Sequence, residues 1–334
     1  MNSDGVAMDI NGMTRRDLLK RAGVLGGAAV AAHLFPPSVR LALAQQRTAA
    51  VDPLAAMRAQ MAATPIQQTR LTNLVVMFSG PGGNVVVRHG EEGKVVVDTF
   101  VQGAFPALKQ RLDAIGNAPI VATINTHWHF DHADNNESFR KTGSKLIAHE
   151  NTKKRLAQAH DLLGMHVNPA PAGAMPTQTF TQSDHVVFEL TGTEEYIDLA
   201  YIPPAHTDTD ISVYFAIGDV LHLGDTFFNG EYPFIDAGTG GRIDGMIAAA
   251  EKGLKMSNAE TRIVPGHGPL GDRAALMKYR DMLATVRDRV QKQKMAGRTE
   301  KEVVAAKPTA EFDAAWGKGF IQPDAFVSLV YNTL

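Results

Sequence analysis

Cysteine is absent from all 334 residues. That omission excludes disulfides, thiolate metal ligands and a cysteine nucleophile together, so a metal held here must be held by His, Asp or Glu. An excess of one charge sign is missing too. The formal net charge is −2 and no basic stripe stands out, which argues against nucleic acid as a partner. Long apolar runs are scarce. The best one, roughly residues 22–34, is short and glycine-rich, a poor membrane span, and nothing later does better. Short-period repeats are also lacking. What remains is a globular balance, 44% hydrophobic and 20% charged, with length for one large domain or two ordinary ones.

The first residues read as an address rather than as fold. Thr14-Arg15-Arg16-Asp17-Leu18-Leu19-Lys20 resembles the twin-arginine export signal of bacteria. A small-x-small site, Ala42-Leu43-Ala44, closes the segment. Residues 1–44 are therefore expected to engage the Tat translocase and be removed, releasing a periplasmic chain with no membrane segment. Residues 45–65 are rich in Ala, Gln and Pro and read as a linker or loose arm. The folded domain is expected over 66–334.

That region opens with "LTNLVVMF", "NVVVRHG" and "KVVVDTF". These β-branched runs are separated by "SGPGGN" and "HGEEGK", so three strands joined by hairpins are predicted. No helix follows "SGPGGN", which makes it a turn rather than a phosphate cradle. The spacing predicts a helix in "FPALKQRLDAIG" and a buried strand in "PIVATINT", then strand–helix alternation. Residues 161–181 look like a long loop, either a lid or a plain connector. Strands follow at "HVVFEL", "YIDLAYI", "ISVYFAIG", "VLHLGDTF" and "TRIVPG", with helices over 244–256, 273–294 and 324–333. Two successive β-then-α halves suggest an α/β chain in which two sheets pack together with helices outside.

Of the 12 histidines, three fall in "NTHWHFDH", residues 125–132. His127 and His129 lie two apart at the end of a predicted strand, where period two turns both imidazoles to one side. Asp131 and His132 follow where the chain should turn, and could serve a second ion. Three more residues sit just after predicted strands: His206 in "IPPAHTDTD", Asp225 in "VLHLGD" and His267 in "VPGHGPLGD". Imidazole and carboxylate suit Zn²⁺ best, with iron or manganese as alternatives.

His127-x-His129-x-Asp131-His132, followed in order by His206, Asp225 and His267, resembles the metallo-β-lactamase superfamily over roughly residues 66–290. The resemblance implies a four-layer αββα sandwich with a dinuclear site along one edge. It further implies that His127, His129 and His206 hold one metal, that Asp131, His132 and His267 hold the other, and that Asp225 bridges them. Two Zn²⁺ ions would lower the pKa of a shared water until it is a nucleophilic hydroxide at neutral pH. Asp131 would orient it and pass on its proton. Thr207, Asp208 and Asp210 are the nearest candidates in sequence for orienting the ligands.

The expected activity is hydrolysis of an ester, lactone, thioester or amide carbonyl in a small molecule. A β-lactam is the less favoured target, because "TFFNG" offers no Lys or Arg for its carboxylate. The "FSGPGGN" hairpin, Trp128, Phe130, the 161–181 loop and the aromatics of "TFFNGEYPFID" are candidate lining groups. The other reading is a non-catalytic, accessory periplasmic metal-binding protein, for example one linked to a quinoprotein system.

Overall fold

The computed structural model describes residues 52–190 and 193–334. The twin-arginine motif and the Ala44 cleavage site lie outside the described residues. The chain enters through helix α1 (Pro53–Ala62), which corrects the reading of 45–65 as a linker throughout. Its start is locally encoded: the Asp52 carboxylate accepts from the Leu54 amide, and Pro53 opens the first turn. Its anchorage is not local. Leu54 is buried in a core cluster whose other members come from Ile66 to Val167, and Arg58 holds Asp134 by two hydrogen bonds of 2.6 Å. Leu54, Met57 and Met61 share one helical face toward that core, but the alanines around them blur the stripe in the sequence.

The valine-rich runs form the strands expected of them. β1 (Gln67–Arg70), β2 (Val75–Ser79), β3 (Asn84–His89) and β4 (Lys94–Val97) pair antiparallel in chain order. After helix α2 (Phe105–Ala114), β5 (Ile120–Ile124) joins β4 in parallel. Two short helices follow, α3 (Phe130–Ala133) and α4 (Asn136–Lys141). β6 (Lys145–His149) then pairs in parallel with β5 and leads to helix α5 (Glu150–Leu156). The stretch read as a long loop is more structured than its composition suggests. It holds a small hairpin, β7 (His160–Leu162) with β8 (Met165–Val167), and ends in β9 (Gln178–Phe180), which completes the seven-stranded sheet beside β6. Leu163 and Gly164 turn that hairpin with positive φ.

The second sheet runs β10 (Ser183–Leu190), β11 (Thr193–Tyr201), β12 (Ile211–Phe215), β13 (Val220–His222) and β14 (Arg262–Val264), antiparallel except for the last pair. Helix α6 (Ile243–Met256) crosses between β13 and β14. Helices α7 (Arg273–Met295), α8 (Glu300–Ala305), α9 (Asp313–Trp316) and α10 (Pro323–Thr333) complete the chain. Among the described residues no helix is long and apolar enough to cross a membrane.

Strand alternation assigns the layers. Val86, Val95 and Val97 face Val213, Phe215 and Val264 of the other sheet in one apolar core. Their neighbours Val85, Val87 and Val96 point the opposite way, onto Leu108 and Leu112 of α2. On the far side, Leu221 and Ile263 pack under α6, α7 and α10. The order is helices, sheet, sheet, helices, as expected. A strand buried on both faces reads as continuous valine, which is why these runs show no polar alternation. Each such side chain contributes roughly 1.5–3 kcal/mol by leaving water.

Candidate metal centre

Strand ends and the loops after them deliver every predicted site residue to one rim of the sandwich. β5 stops at Ile124, three residues short of His127, so pleating alone does not aim the imidazoles. The aim comes from the turn that follows, where His129 is the N-cap of α3 and Asp131 and His132 occupy its single turn. His206 follows β11, Asp225 sits in a 3₁₀ turn after β13, and His267 follows β14.

The seven side chains gather into two adjoining groups. His127, His129, His206 and Asp225 form one; Asp131, His132 and His267 form the other, with ligand-type atoms within 4.8 Å of one another in each. Asp225 touches both. Its carboxylate lies 3.5 Å from His206 Nε2, 3.4 Å from His267 Nε2 and 3.2 Å from His132 Nε2. In the first group His206 Nε2 is 2.9 Å from His129 Nδ1, and in the second His132 Nε2 is 3.4 Å from His267 Nε2. In the first pair, where each ring's other nitrogen donates outward, this presents lone pair to lone pair, an arrangement that a cation between them relieves.

Hydrogen bonds on the far side of four of the five rings fix which nitrogen faces inward. His132 Nδ1 donates to Asp98 at 2.8 Å, His129 Nε2 to Asp236 at 3.1 Å and His206 Nδ1 to the Phe234 carbonyl at 2.8 Å. Thr126 Oγ1 spends its proton on Asp98, so it accepts from His127 Nδ1 at 3.0 Å. His127 Nε2 and Asp225 Oδ1 are left buried without a hydrogen-bond partner. Orphaned polar atoms of this kind are costly, and metal ligation satisfies them. The residues therefore fit a divalent cation.

Protonation follows burial and the carboxylates. Burial depresses His127 far below the ordinary imidazole range and His206 to about 4, leaving both neutral and able to ligate. For the two carboxylates burial works the other way, yet the neighbouring imidazoles win and hold both well below their usual range: His132 and His267 for Asp131, with His127 and His206 also acting on Asp225. Burial also opposes charge on His132 and His267, but Asp225 and Asp131 overcome it, raising His132 strongly and His267 to about 10. Protons hold the second group together where a cation would replace them.

Asp98 and Asp236 escaped the sequence analysis. Asp98 ends "VVVD" after β4 and adopts φ 67°, unusual for a non-glycine residue. That conformation lets one carboxylate take the Thr126 amide, the Thr126 hydroxyl and His132 Nδ1. An acidic residue directly after a buried valine strand was the available signal. The candidates nearest in sequence do other work. Asp208 pairs with Arg155, and Asp210 accepts from the amides of His206 and Thr207, shaping the loop rather than the rings. We predict that Asp98→Ala lowers metal affinity about 10- to 100-fold, measured by competition with a chromogenic chelator; unchanged affinity would show that His132 needs no such support.

Other residues also find definite places. Phe227 is core, packed on Tyr279, whereas Phe228 stacks on His267 with ring centres 5.2 Å apart. His149 is buried against Tyr201, with ring centres 4.1 Å apart, and caps α5. The "SGPGGN" turn is a hairpin, and Gly83 lies so close to the His132 ring that a Cβ would collide with it. Gly266 is likewise indispensable to the seat of Asp225, because its Cβ would meet that carboxylate.

A mixed two-sheet sandwich with helices on both outer faces and a buried His/Asp cluster at its rim defines an α/β fold of the metallohydrolase type with a candidate metal site. The chain belongs to the metallo-beta-lactamase superfamily, whose family model matches residues 80–283. Solved structures agree on the fold. A metallo-beta-lactamase from Pontibacter korlensis superposes with TM-score 0.52 at 18% identity, covering 66% of this chain and 99% of its own. The stereoselective inverting sec-alkylsulfatase Pisa1 from Pseudomonas sp. gives TM-score 0.60 at 17% identity, over 80% of this chain and 50% of its own. Among curated proteins, the alpha subunit of 2,4-dinitroanisole O-demethylase from Nocardioides sp. (strain JS1661) is 25% identical over 143 residues. That match spans 42% of this chain and 40% of the relative.

Proposed function

We propose that this chain is a periplasmic, dinuclear, zinc-dependent hydrolase of small carbonyl compounds: esters, lactones, thioesters or amides, with a β-lactam as the less favoured target. The observation that carries the reading is the meeting of seven ligand-type side chains, four of which line a cavity of about 310 Å³. His127, His129 and His206 would hold one ion, Asp131, His132 and His267 the other, and Asp225 both. The bound ions supply Lewis acidity and lower the pKa of water, which removes any need for a serine or cysteine nucleophile. Nitrogen and oxygen donors without thiolate favour zinc, with iron or manganese as competitors.

The chain's own residues do the remainder. His129, Asp131, Asp225 and His267 line the cavity, and Asp131 is the carboxylate placed to take a proton at its Oδ2 and hand it to a leaving group. Phe228, Tyr232 and Phe234 make the aromatic wall that excludes water. The 2,4-dinitroanisole O-demethylase relative supports a second substrate, an activated aryl ether, on the same site.

The test is metal content of the purified protein alongside a panel of neutral aryl esters, a lactone, a thioester, a β-lactam and 2,4-dinitroanisole. About two metals per chain with turnover of at least one of these is the expected result. Less than one metal and no turnover of any would end the reading and leave an accessory role. The same proposal assigns export to residues 1–44, and a periplasmic product still carrying Arg15 and Arg16 would contradict it.

A further inference from the structure

The cavity above the candidate metal centre is built from parts far apart in sequence. Met57 and Met61 come from α1, Leu162 from the β7–β8 hairpin, Phe234 from the segment after β13, and Phe320 and Ile321 from the stretch before α10. Every one of these is apolar. Among the described residues no Lys or Arg lines the cavity. Beyond the His/Asp cluster, the single charged group lining it among those residues is Glu231.

Glu231 is held in place. Its Oε2 accepts from the Phe320 amide at 3.4 Å, and its side chain lies against Gly319 so closely that a Cβ on that glycine would strike it. The same residue lines a second, more open groove formed by the Gly80–Asn84 turn and residues 267–270. Glu231 thus stands between the apolar cavity and the open groove, with His267 shared by both.

Resting on the hydrolase reading, we infer that Glu231 is a specificity-determining residue that restricts the site to substrates whose non-reacting portion is uncharged and apolar, and rejects those carrying an anion there. Two effects act together. An apolar wall with no cationic partner leaves a buried carboxylate or sulfonate unpaired, a large desolvation penalty. A fixed carboxylate a few ångströms away adds like-charge repulsion in a site partly screened from water. Neutral alkyl and aryl groups meet neither penalty and gain by burying apolar surface.

The substrate pair that reads this is 4-nitrophenyl hexanoate and mono-4-nitrophenyl adipate, which share a leaving group and chain length, differ by a terminal carboxylate in the acyl part, and avoid the fast self-cleavage of shorter half-esters. The zinc-loaded protein should favour the neutral ester in kcat/KM by about tenfold or more. In E231Q the preference should shrink at least threefold, and in E231K it should shrink further or invert. A wild-type ratio near one, or a ratio unmoved in E231K, overturns the inference. Binding provides the readout that needs no turnover. N-phenyl-1-naphthylamine and 8-anilino-1-naphthalenesulfonate share a skeleton and differ by one charge. Fluorescence titration of the full protein, with and without zinc, should show tighter binding of the neutral dye, and E231K should narrow the gap. Equal binding of the two dyes refutes the charge selection even if no ester is hydrolysed. Selective dye binding without any ester turnover would instead preserve the pocket's specificity and remove the hydrolase reading.

Discussion

Asp131→Ala is expected to keep the fold and lose roughly 10²- to 10⁴-fold in kcat/KM, the range for removing a positioned proton-transfer group. Asp131 is one of two carboxylates in the cluster, and it lies on the cavity side, with Oδ2 3.2 Å from His267 Nε2 and 3.5 Å from His132 Nε2. Its negative charge is secure at neutral pH, because the two imidazoles outweigh the effect of burial. The loss should come mainly from kcat, since the apolar walls that bind the substrate are untouched. Because the carboxylate also belongs to the second ligand group, metal content must be measured on the same sample. Retention of the His127 group's ion with loss of turnover is the predicted pattern. An unchanged far-ultraviolet dichroism spectrum checks the fold. Turnover equal to the parent protein in Asp131→Ala would defeat the proposed mechanism.

Chelation should have the other large effect. Removing the ions is expected to abolish hydrolysis and lower the melting temperature by roughly 8–16 °C, both reversed by zinc. The estimate follows from linkage. A ligand bound to the native state alone at about a thousandfold over its dissociation constant stabilises it by ~4 kcal/mol. For a domain of this size each kcal/mol shifts the midpoint by about 2–4 °C. The structural reason is local. His127 Nε2 and Asp225 Oδ1 are buried without a hydrogen-bond partner, and ring nitrogens of two histidine pairs face each other. Scanning calorimetry on stripped and reloaded protein measures the shift. A midpoint that stays put once metal loss is verified would mean that the rim is stable without a cation and that the cluster has another purpose.

The sheet core was the most legible part of the fold. Val85, Val86 and Val87 are consecutive and all buried, because a central strand between two layers needs apolar groups on both faces. Helices α6, α7 and α10 were readable for a related reason, since each carries its own apolar stripe. By contrast α1 looked like a linker: its one fully buried side chain, Leu54, is held by partners that only the folded chain brings near. The β7–β8 hairpin was lost among Pro, Ala and Gly for the same reason.

The site divides along a similar line. The sequence alone determined the donor chemistry open to the candidate site: without cysteine, and with four of the seven residues inside six positions, its donors are nitrogen and oxygen. It also determined that His206, Asp225 and His267 come just after strands, where chain ends of a layered fold collect. Only tertiary structure decided which nitrogen of His129, His132 and His206 faces inward, because Asp236, Asp98 and the Phe234 carbonyl make that choice from other segments. Tertiary structure also decided what surrounds the cluster. Short-range physics fixes a residue's donor atoms and its turn, whereas a cavity wall built from α1, a hairpin and the approach to α10 exists only once distant segments have packed.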